Sequence, residues 1–135
     1  MEVIYAQILK LVLAVVFGGI IGLERERSHK PAGLRTHMLV CISSALITII
    51  SVDYFGNDYA RLVAGIVTGI GFIGAGAIIA QGKEGMHGLT TAASLWVAAA
   101  IGIGTGIGWY VLSGVTAILT LAILFLGRLE KRLVK

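Results

Sequence analysis

The sequence predicts an all-α protein, a bundle of five transmembrane helices, and three observations support that fold class. Hydrophobic residues make up 57% of the 135 residues, and only 13% are charged. The mean hydropathy is +0.94, far from the composition of a soluble domain. Nineteen Gly accompany a single Pro, and small residues let helices approach closely in lipid. We therefore expect one transmembrane domain over residues 1–135, with no soluble carboxy-terminal domain.

Long apolar segments separated by short polar ones define the spans. The predicted spans are residues 3–22, 33–52, 61–80, 89–103 and 109–127. In the first, the charges follow the apolar run, unlike those of a cleaved signal peptide. Pro31 stands near the start of the second, where a missing amide hydrogen costs least. Residues 89–126 would form a helix of roughly 57 Å, nearly twice the thickness of the bilayer core, so we expect a hairpin with its turn at residues 102–108.

A charged segment between the first two spans orients the chain. It runs from Glu24 to His37, holds eight ionisable residues in fourteen positions, and is called the charged island below. Short basic connectors stay on the cytoplasmic side. Five spans place nine of the 11 Lys and Arg residues on that side, with the amino terminus outside and the carboxy terminus cytoplasmic. A four-span arrangement would put the basic tail beside Asp53 and Asp58, and ranks second. Lys10 is expected to snorkel to the outer interface.

Glycines spaced four residues apart predict closely packed helix faces. The predicted packing glycines are Gly18, Gly22, Gly65, Gly69, Gly71, Gly74 and Gly76. Residues 69–74 also match the dinucleotide pattern Gly-x-Gly-x-x-Gly, but no strand precedes them and no acidic residue follows at the required distance. An alternative to simple packing is a weakened helix whose exposed carbonyls line an ion or substrate path, as in transporters.

Polar residues of the charged island and of the start of the fourth span form a candidate functional cluster. Its members are Glu24, Glu26, Arg35, Thr36, Thr90, Thr91 and Ser94. Two structural alternatives stand beside this interpretation: neighbouring Arg and Lys neutralise the carboxylates, and Thr90 or Thr91 caps the fourth helix. Carboxylates spaced i, i+2 do not face each other on a helix, and no metal-ligand pattern is complete, so a metal ligand set stays unknown. No cofactor is expected.

The remaining reactive residue types have structural interpretations. His29, His37 and His87 lack the spacing of a zinc site and are expected to be solvated at the interface. Cys41 is predicted to be a small packing residue, and a single cysteine excludes an internal disulfide framework. No nucleophile, base and orienting group can be assembled from so few polar residues, so an enzyme is not expected. The net charge of +4 falls in connectors and tail, which argues against nucleic-acid binding.

Four segments resemble the MgtC/SapB family of bacterial inner-membrane proteins, in its amino-terminal membrane domain. They are Gly22-Leu23-Glu24-Arg25-Glu26, Lys30-Pro31-Ala32-Gly33-Leu34-Arg35-Thr36-His37, Gly69-Ile70-Gly71-Phe72-Ile73-Gly74-Ala75-Gly76 and Gly88-Leu89-Thr90-Thr91-Ala92-Ala93-Ser94-Leu95-Trp96-Val97. The resemblance implies a non-enzymatic protein of the inner membrane, associated with adaptation to low magnesium and with virulence. Two departures are Asp58-Tyr59, where the family often has Asp-Pro, and the missing soluble carboxy-terminal domain of many relatives.

Two hypotheses for function follow. The first is a regulator of other membrane machinery that acts through helix faces; its partners are the lipid bilayer, a second copy in a homo-oligomer, with a dimer favoured, and other membrane proteins. The alternative is a small oligomeric transporter or channel for a cation such as magnesium. Its cytoplasmic vestibule would contain Glu24, Glu26, Thr90 and Thr91.

Overall fold

The computed structural model, which describes residues 1–79 and 88–133, consists of five long helices. They are α1 (Glu2–Arg27), α2 (Leu34–Tyr54), α3 (Tyr59–Ile79), α4 (Leu89–Ile107) and α5 (Tyr110–Leu133), with a 3-10 turn at Gly56–Asp58. Each contains a segment long and apolar enough to cross a membrane, and the described residues contain no strand. The five-span prediction is confirmed and the four-span alternative is wrong. Residues 80–87 lie outside the described residues; they include His87 and most of the connector predicted between the third and fourth spans.

Helix α4 occupies the centre of the bundle. It packs against all four other helices, and with α1 and α2 it forms a three-helix core. Within the described residues, α3 contacts α2 and α4, whereas α5 contacts α1 and α4, so these two helices flank the core on different sides. Because the spans alternate in direction, α2 and α4 begin where α1, α3 and α5 end. That end carries the charged island and is called the island end below.

Glycines bring the three core helices into backbone contact. A Cβ added at Gly18 would lie 2.7 Å from the His37 carbonyl oxygen, and one added at Gly22 would lie 2.8 Å from the Leu34 carbonyl oxygen. Only a residue without a side chain fits at such distances, since a side chain would force the helices apart. Gly18 and Gly22 therefore pack α1 against α2, as the sequence predicts.

The predicted turn between the fourth and fifth spans is wrong in extent. Helix α4 continues to Ile107, because Gly102 and Gly106 pack against α2: an added Cβ would lie 2.3 Å from the Cys41 carbonyl oxygen and 2.8 Å from that of Ala45, respectively. The chain turns only at Gly108, whose φ of +106° suits glycine. The amides of residues 108 and 109 donate to the Gly104 carbonyl, which ends the helix.

Small and aliphatic side chains fill the remaining core. Cys41 has no exposed surface and packs with Ala14, Ile21, Ala45 and Ile101. Its predicted role as a packing residue is confirmed. A thiol there occupies little more volume than the alanines around it, which keeps the core helices close.

At the opposite end of the bundle, polar contacts join exposed residues. The Gln7 side chain donates to Asp53, and Arg61 forms an exposed ion pair with Asp58 at 3.3 Å. A Cβ added at Gly108 would lie 3.9 Å from the Cε of Lys10, so this lysine reaches toward the α4–α5 turn. That direction is the one that snorkelling to the outer interface requires.

Candidate functional site

The connector between α1 and α2 folds back on the last turn of α1. The amides of Ser28, His29 and Lys30 donate to carbonyls of that turn, and His29 adopts a φ of +53°. Glu26 is exposed, but its Oε2 accepts the Leu34 amide at 2.9 Å and so satisfies a free donor at the start of α2. Glu26 thus caps a helix here.

Glu24 and Arg25 form a buried ion pair beside this connector. Their side chains are 5% and 4% exposed, and the Arg25 Nε donates to Oε2 of Glu24. The Ser28 hydroxyl donates to Oε1 at 2.8 Å. Neutralisation of Glu24 by a neighbouring cation is confirmed, but the pair is enclosed by the bundle. The two side chains stay together, because separating them would leave a buried charge uncompensated.

His37 contradicts its predicted place at the solvated interface. It lies one turn into α2 and has no exposed surface. Its Nδ1 lies 2.8 Å from the Gly33 carbonyl oxygen, and its Nε2 lies 2.9 Å from the Ser94 hydroxyl on α4. The ring therefore joins α2 to α4 in the interior of the bundle. The signal for this burial is helical spacing, because His37 lies one turn before Cys41, which the sequence predicts to be a packing residue.

The hydroxyl residues of α4 divide between interior and surface. Thr91 and Ser94 are buried, and the Ser94 hydroxyl lies 2.8 Å from the Thr91 carbonyl oxygen. Thr90 is exposed. The prediction that Thr90 or Thr91 caps the helix is wrong, because the N-cap position is occupied by Gly88, with a φ of +96°. An added Cβ there would lie 2.8 Å from the Ala77 carbonyl oxygen, so only glycine fits beside α3.

The structure brings part of the predicted cluster together. Glu24, Thr91 and Ser94 are buried at the island end together with Arg25 and His37, two residues outside the predicted cluster. Both charges of the ion pair lie near enough to act on the His37 ring. We call these five residues, with Ser28, the buried polar cluster. The other predicted members stand outside it: Glu26, Arg35 and Thr90 are exposed, and Thr36 is half-buried.

The chemistry of the buried polar cluster is that of an interhelical anchor. In the described part of the chain, every buried side-chain nitrogen or oxygen atom has a hydrogen-bond partner. The described residues contain no group of three His, Cys, Asp or Glu side chains able to hold a metal ion. The carboxylate of Glu24 is already occupied by Arg25 and Ser28. The His37–Ser94 contact joins α2 to α4, and the bonds among Glu24, Arg25 and Ser28 lie beside it at the end of α1.

A second candidate surface lies on α3. Of the predicted packing glycines on this helix, Gly74 is buried and its added Cβ would lie 3.5 Å from the Ala92 Cβ of α4. The other four would meet no described atom within 4 Å; they are Gly65, Gly69, Gly71 and Gly76. These four glycines therefore pack against no other helix among the described residues. Helix α3 is nevertheless continuous, so neither a dinucleotide loop nor a broken helix forms at residues 69–74.

An apolar groove of about 500 Å³ separates α3 from α2 beside these glycines. Gly65 and Gly69 lie on its α3 wall, and Leu39, Ser43 and Ile47 lie on its α2 wall. The Ser43 hydroxyl donates to the Leu39 carbonyl of its own helix at 2.6 Å. The groove therefore presents an apolar surface and two glycine backbones to whatever lies beside it in the membrane.

Five spanning helices, packed through glycines around a polar cluster at one end, define a multi-pass α-helical membrane protein. The chain matches the MgtC family over residues 11–132. It belongs to that family, as its four sequence segments predict.

Relatives from several bacteria match most of this chain. It is 44% identical over 126 residues to a protein of Escherichia coli K12 named "Putative magnesium transporter YhiD", a match covering 87% of this chain and 58% of the relative. It is 43% identical to SapB of Bacillus subtilis, over 76% of this chain and 48% of the relative. It is 41% identical to MgtC of Salmonella typhimurium LT2, over 78% and 46% respectively. The chain thus spans about half the length of these relatives. No solved structure matches it.

Proposed function

We propose that this chain is the membrane domain of a non-enzymatic regulator of other membrane machinery, active in magnesium limitation, stress adaptation and virulence. The name of the Escherichia coli relative supports the link with magnesium. We place the protein in the bacterial inner membrane with the island end in the cytoplasm, because basic connectors are retained on that side. It acts through helix faces, in a homo-oligomer that we expect to be a dimer.

The open glycine face of α3 is the observation that carries this proposal. Each glycine within a helix costs about 1 kcal/mol relative to alanine. Four of the α3 glycines contact no described neighbour, so no described contact offsets that cost. A partner helix at the same face would gain close backbone contact. Gly65, Gly69 and Gly76 lie on one side of α3, at spacings of four and seven residues. A second transmembrane helix fits this face better than lipid tails do.

The closed interior supports regulation over transport. The core helices touch at backbone distance near Gly18, Gly102 and Gly106, which leaves no room for an ion between them at these three positions. Buried hydroxyls farther along the bundle donate to carbonyls of their own helices, as Thr48 and Thr105 do. These bonds satisfy the hydroxyl hydrogens without water or an ion beside them.

Disulfide cross-linking in native membranes tests the proposal. Cys41 is replaced by Ala, and a single cysteine is introduced by Ile73→Cys on α3 or by Leu119→Cys on α5. The two native side chains are 49% and 58% exposed, so the pair is matched for access. We expect a covalent dimer from the α3 variant and little from the α5 variant. Adding Gly69→Leu should reduce the α3 product, whereas Gly127→Leu should not. Equal cross-linking from both positions, or a monomer in every case, would contradict the proposal.

Transport is a second candidate, because the name of the Escherichia coli relative refers to it. It is tested with purified protein in liposomes that contain a magnesium-sensitive dye. The regulatory proposal predicts vesicles as tight as empty ones. A magnesium flux that is lost in Glu24→Gln and Glu26→Gln, but kept in Glu2→Gln at the opposite end, would favour transport.

A further inference from the structure

The hydrogen bonds of His37 define the tautomer of its neutral ring in the closed bundle. The Gly33 carbonyl oxygen accepts only, so the Nδ1 at 2.8 Å carries a hydrogen. In a neutral ring, Nε2 then holds a lone pair and accepts the Ser94 hydroxyl at 2.9 Å. Both ring nitrogens are satisfied in this neutral form, inside a residue with no exposed surface.

A second proton would enter at Nε2 and reverse the contact with α4. Nε2 would become a donor, and the Ser94 hydroxyl would have to turn to the Thr91 carbonyl, 2.8 Å away. The hydrogen bonds could re-form, but the ring would carry a full positive charge without contact to water. Burying a charge without a partner of its own is costly.

The groups around His37 offer that charge little compensation. Helix α1 presents Arg25, a like charge that is itself 4% exposed, and Glu24, whose carboxylate is held by Arg25 and Ser28. Helix α4 presents the uncharged Thr91 and Ser94. On α2 itself, the next titratable group toward the core is the buried Cys41. A cation at His37 therefore disfavours the close approach of α2 and α4.

We propose that His37 is a proton-operated latch between α2 and α4. The neutral ring holds the two helices together at the island end. Protonation from the adjacent aqueous phase reverses the Ser94 contact and leaves a charge without a counter-ion of its own between the helices; the cost of burying that charge opens the buried polar cluster. The latch lies one turn from the start of α2, where the polar residues of the charged island bring water close, so the proton has a short way to travel.

Nitrogen-15 NMR of the imidazole rings tests the latch directly. The protein carries His29→Gln and His87→Gln, so that His37 is the one histidine left, and is studied in lipid nanodiscs from pH 8 to pH 5. We expect the Nδ1–H tautomer at high pH and the imidazolium on acidification. Over the same pH range, amide-exchange protection of residues 91–95, corrected for intrinsic rates, should fall about 2- to 12-fold. That range equals the free energy of about one net hydrogen bond, which is the scale expected when the charged ring weakens the contact between α2 and α4.

Two variants separate the latch from a general effect of acid. His29→Gln alone removes an exposed histidine of the charged island and should keep the pH response. His37→Gln should remove it while protection at high pH persists. A ring that stays neutral at every pH at which the protein is folded would overturn the proposal. So would an imidazolium that forms without any change in protection, or with increased protection. Both outcomes are measured with His37 in place, so they do not depend on the folding of the His37→Gln variant.

Discussion

Replacing Gly102 by Ala tests the close contact between α2 and α4. The new Cβ would lie 2.3 Å from the Cys41 carbonyl oxygen and 2.7 Å from the Ser44 Cβ. Non-bonded heavy atoms prefer about 3.5 Å, so the two helices must move apart by roughly 1 Å. Overpacking of this kind costs about 1–3 kcal/mol. The higher helix propensity of alanine offsets about 1 kcal/mol, which leaves a net loss of up to about 2 kcal/mol.

The matched control is Gly127→Ala on α5, where an added Cβ meets no described atom within 4 Å. Unfolding of both variants is followed in mixed micelles by titration with a denaturing detergent, with the fluorescence of Trp96 and Trp109 as the signal. We expect a lower midpoint for Gly102→Ala, and an unchanged or slightly higher midpoint for the control. If Gly102→Ala matched the control, the helices could not lie as close as the reasoning requires.

Two further substitutions test the polar cluster and the α4–α5 turn by the same unfolding measurement. Arg25→Gln leaves the Glu24 carboxylate buried without its cation and should cost about 3–5 kcal/mol, whereas Arg27→Gln, at an exposed position, should cost less than about 1 kcal/mol. Equal losses would show that the buried pair is not special. Gly108→Ala places a side chain at a φ of +106° and should cost about 1 kcal/mol or more, again relative to Gly127→Ala. No loss would argue against the left-handed conformation at this turn.

Hydropathy and charge were sufficient to predict the five helices, because both depend on composition along the chain. The turn at residues 102–108 was wrong for a physical reason. Glycine has two uses, permitting unusual backbone angles and allowing helices to touch, and a sequence pattern does not separate them. Gly108 serves the first use, and Gly102 and Gly106 serve the second. Which use applies depends on α2, a helix about 60 residues earlier in the chain.

The candidate site was predicted in part for a similar reason. Glu24 and Ser94 were selected as polar residues near the same bilayer surface, and both belong to the buried polar cluster. The sequence prediction places His37 in water. It rests on the spacing between histidines, which does not fit a zinc site, and not on the buried face that His37 shares with Cys41. Arg25 was treated as a surface counter-charge. Whether a charge is buried depends on how helices from distant parts of the sequence close over it.

The central position of α4 has a consequence for how the protein is made. Membrane proteins receive their helices in order of synthesis, from the amino terminus. Helices α1 and α2 can pair as soon as both are in the bilayer, whereas α3 has only its contact with α2 until α4 arrives. The partner of His37, Ser94, is also supplied by α4. In a newly made chain of three helices, His37 would thus lack its bond to Ser94. The arrival of α4 completes both the island end and the core of the bundle.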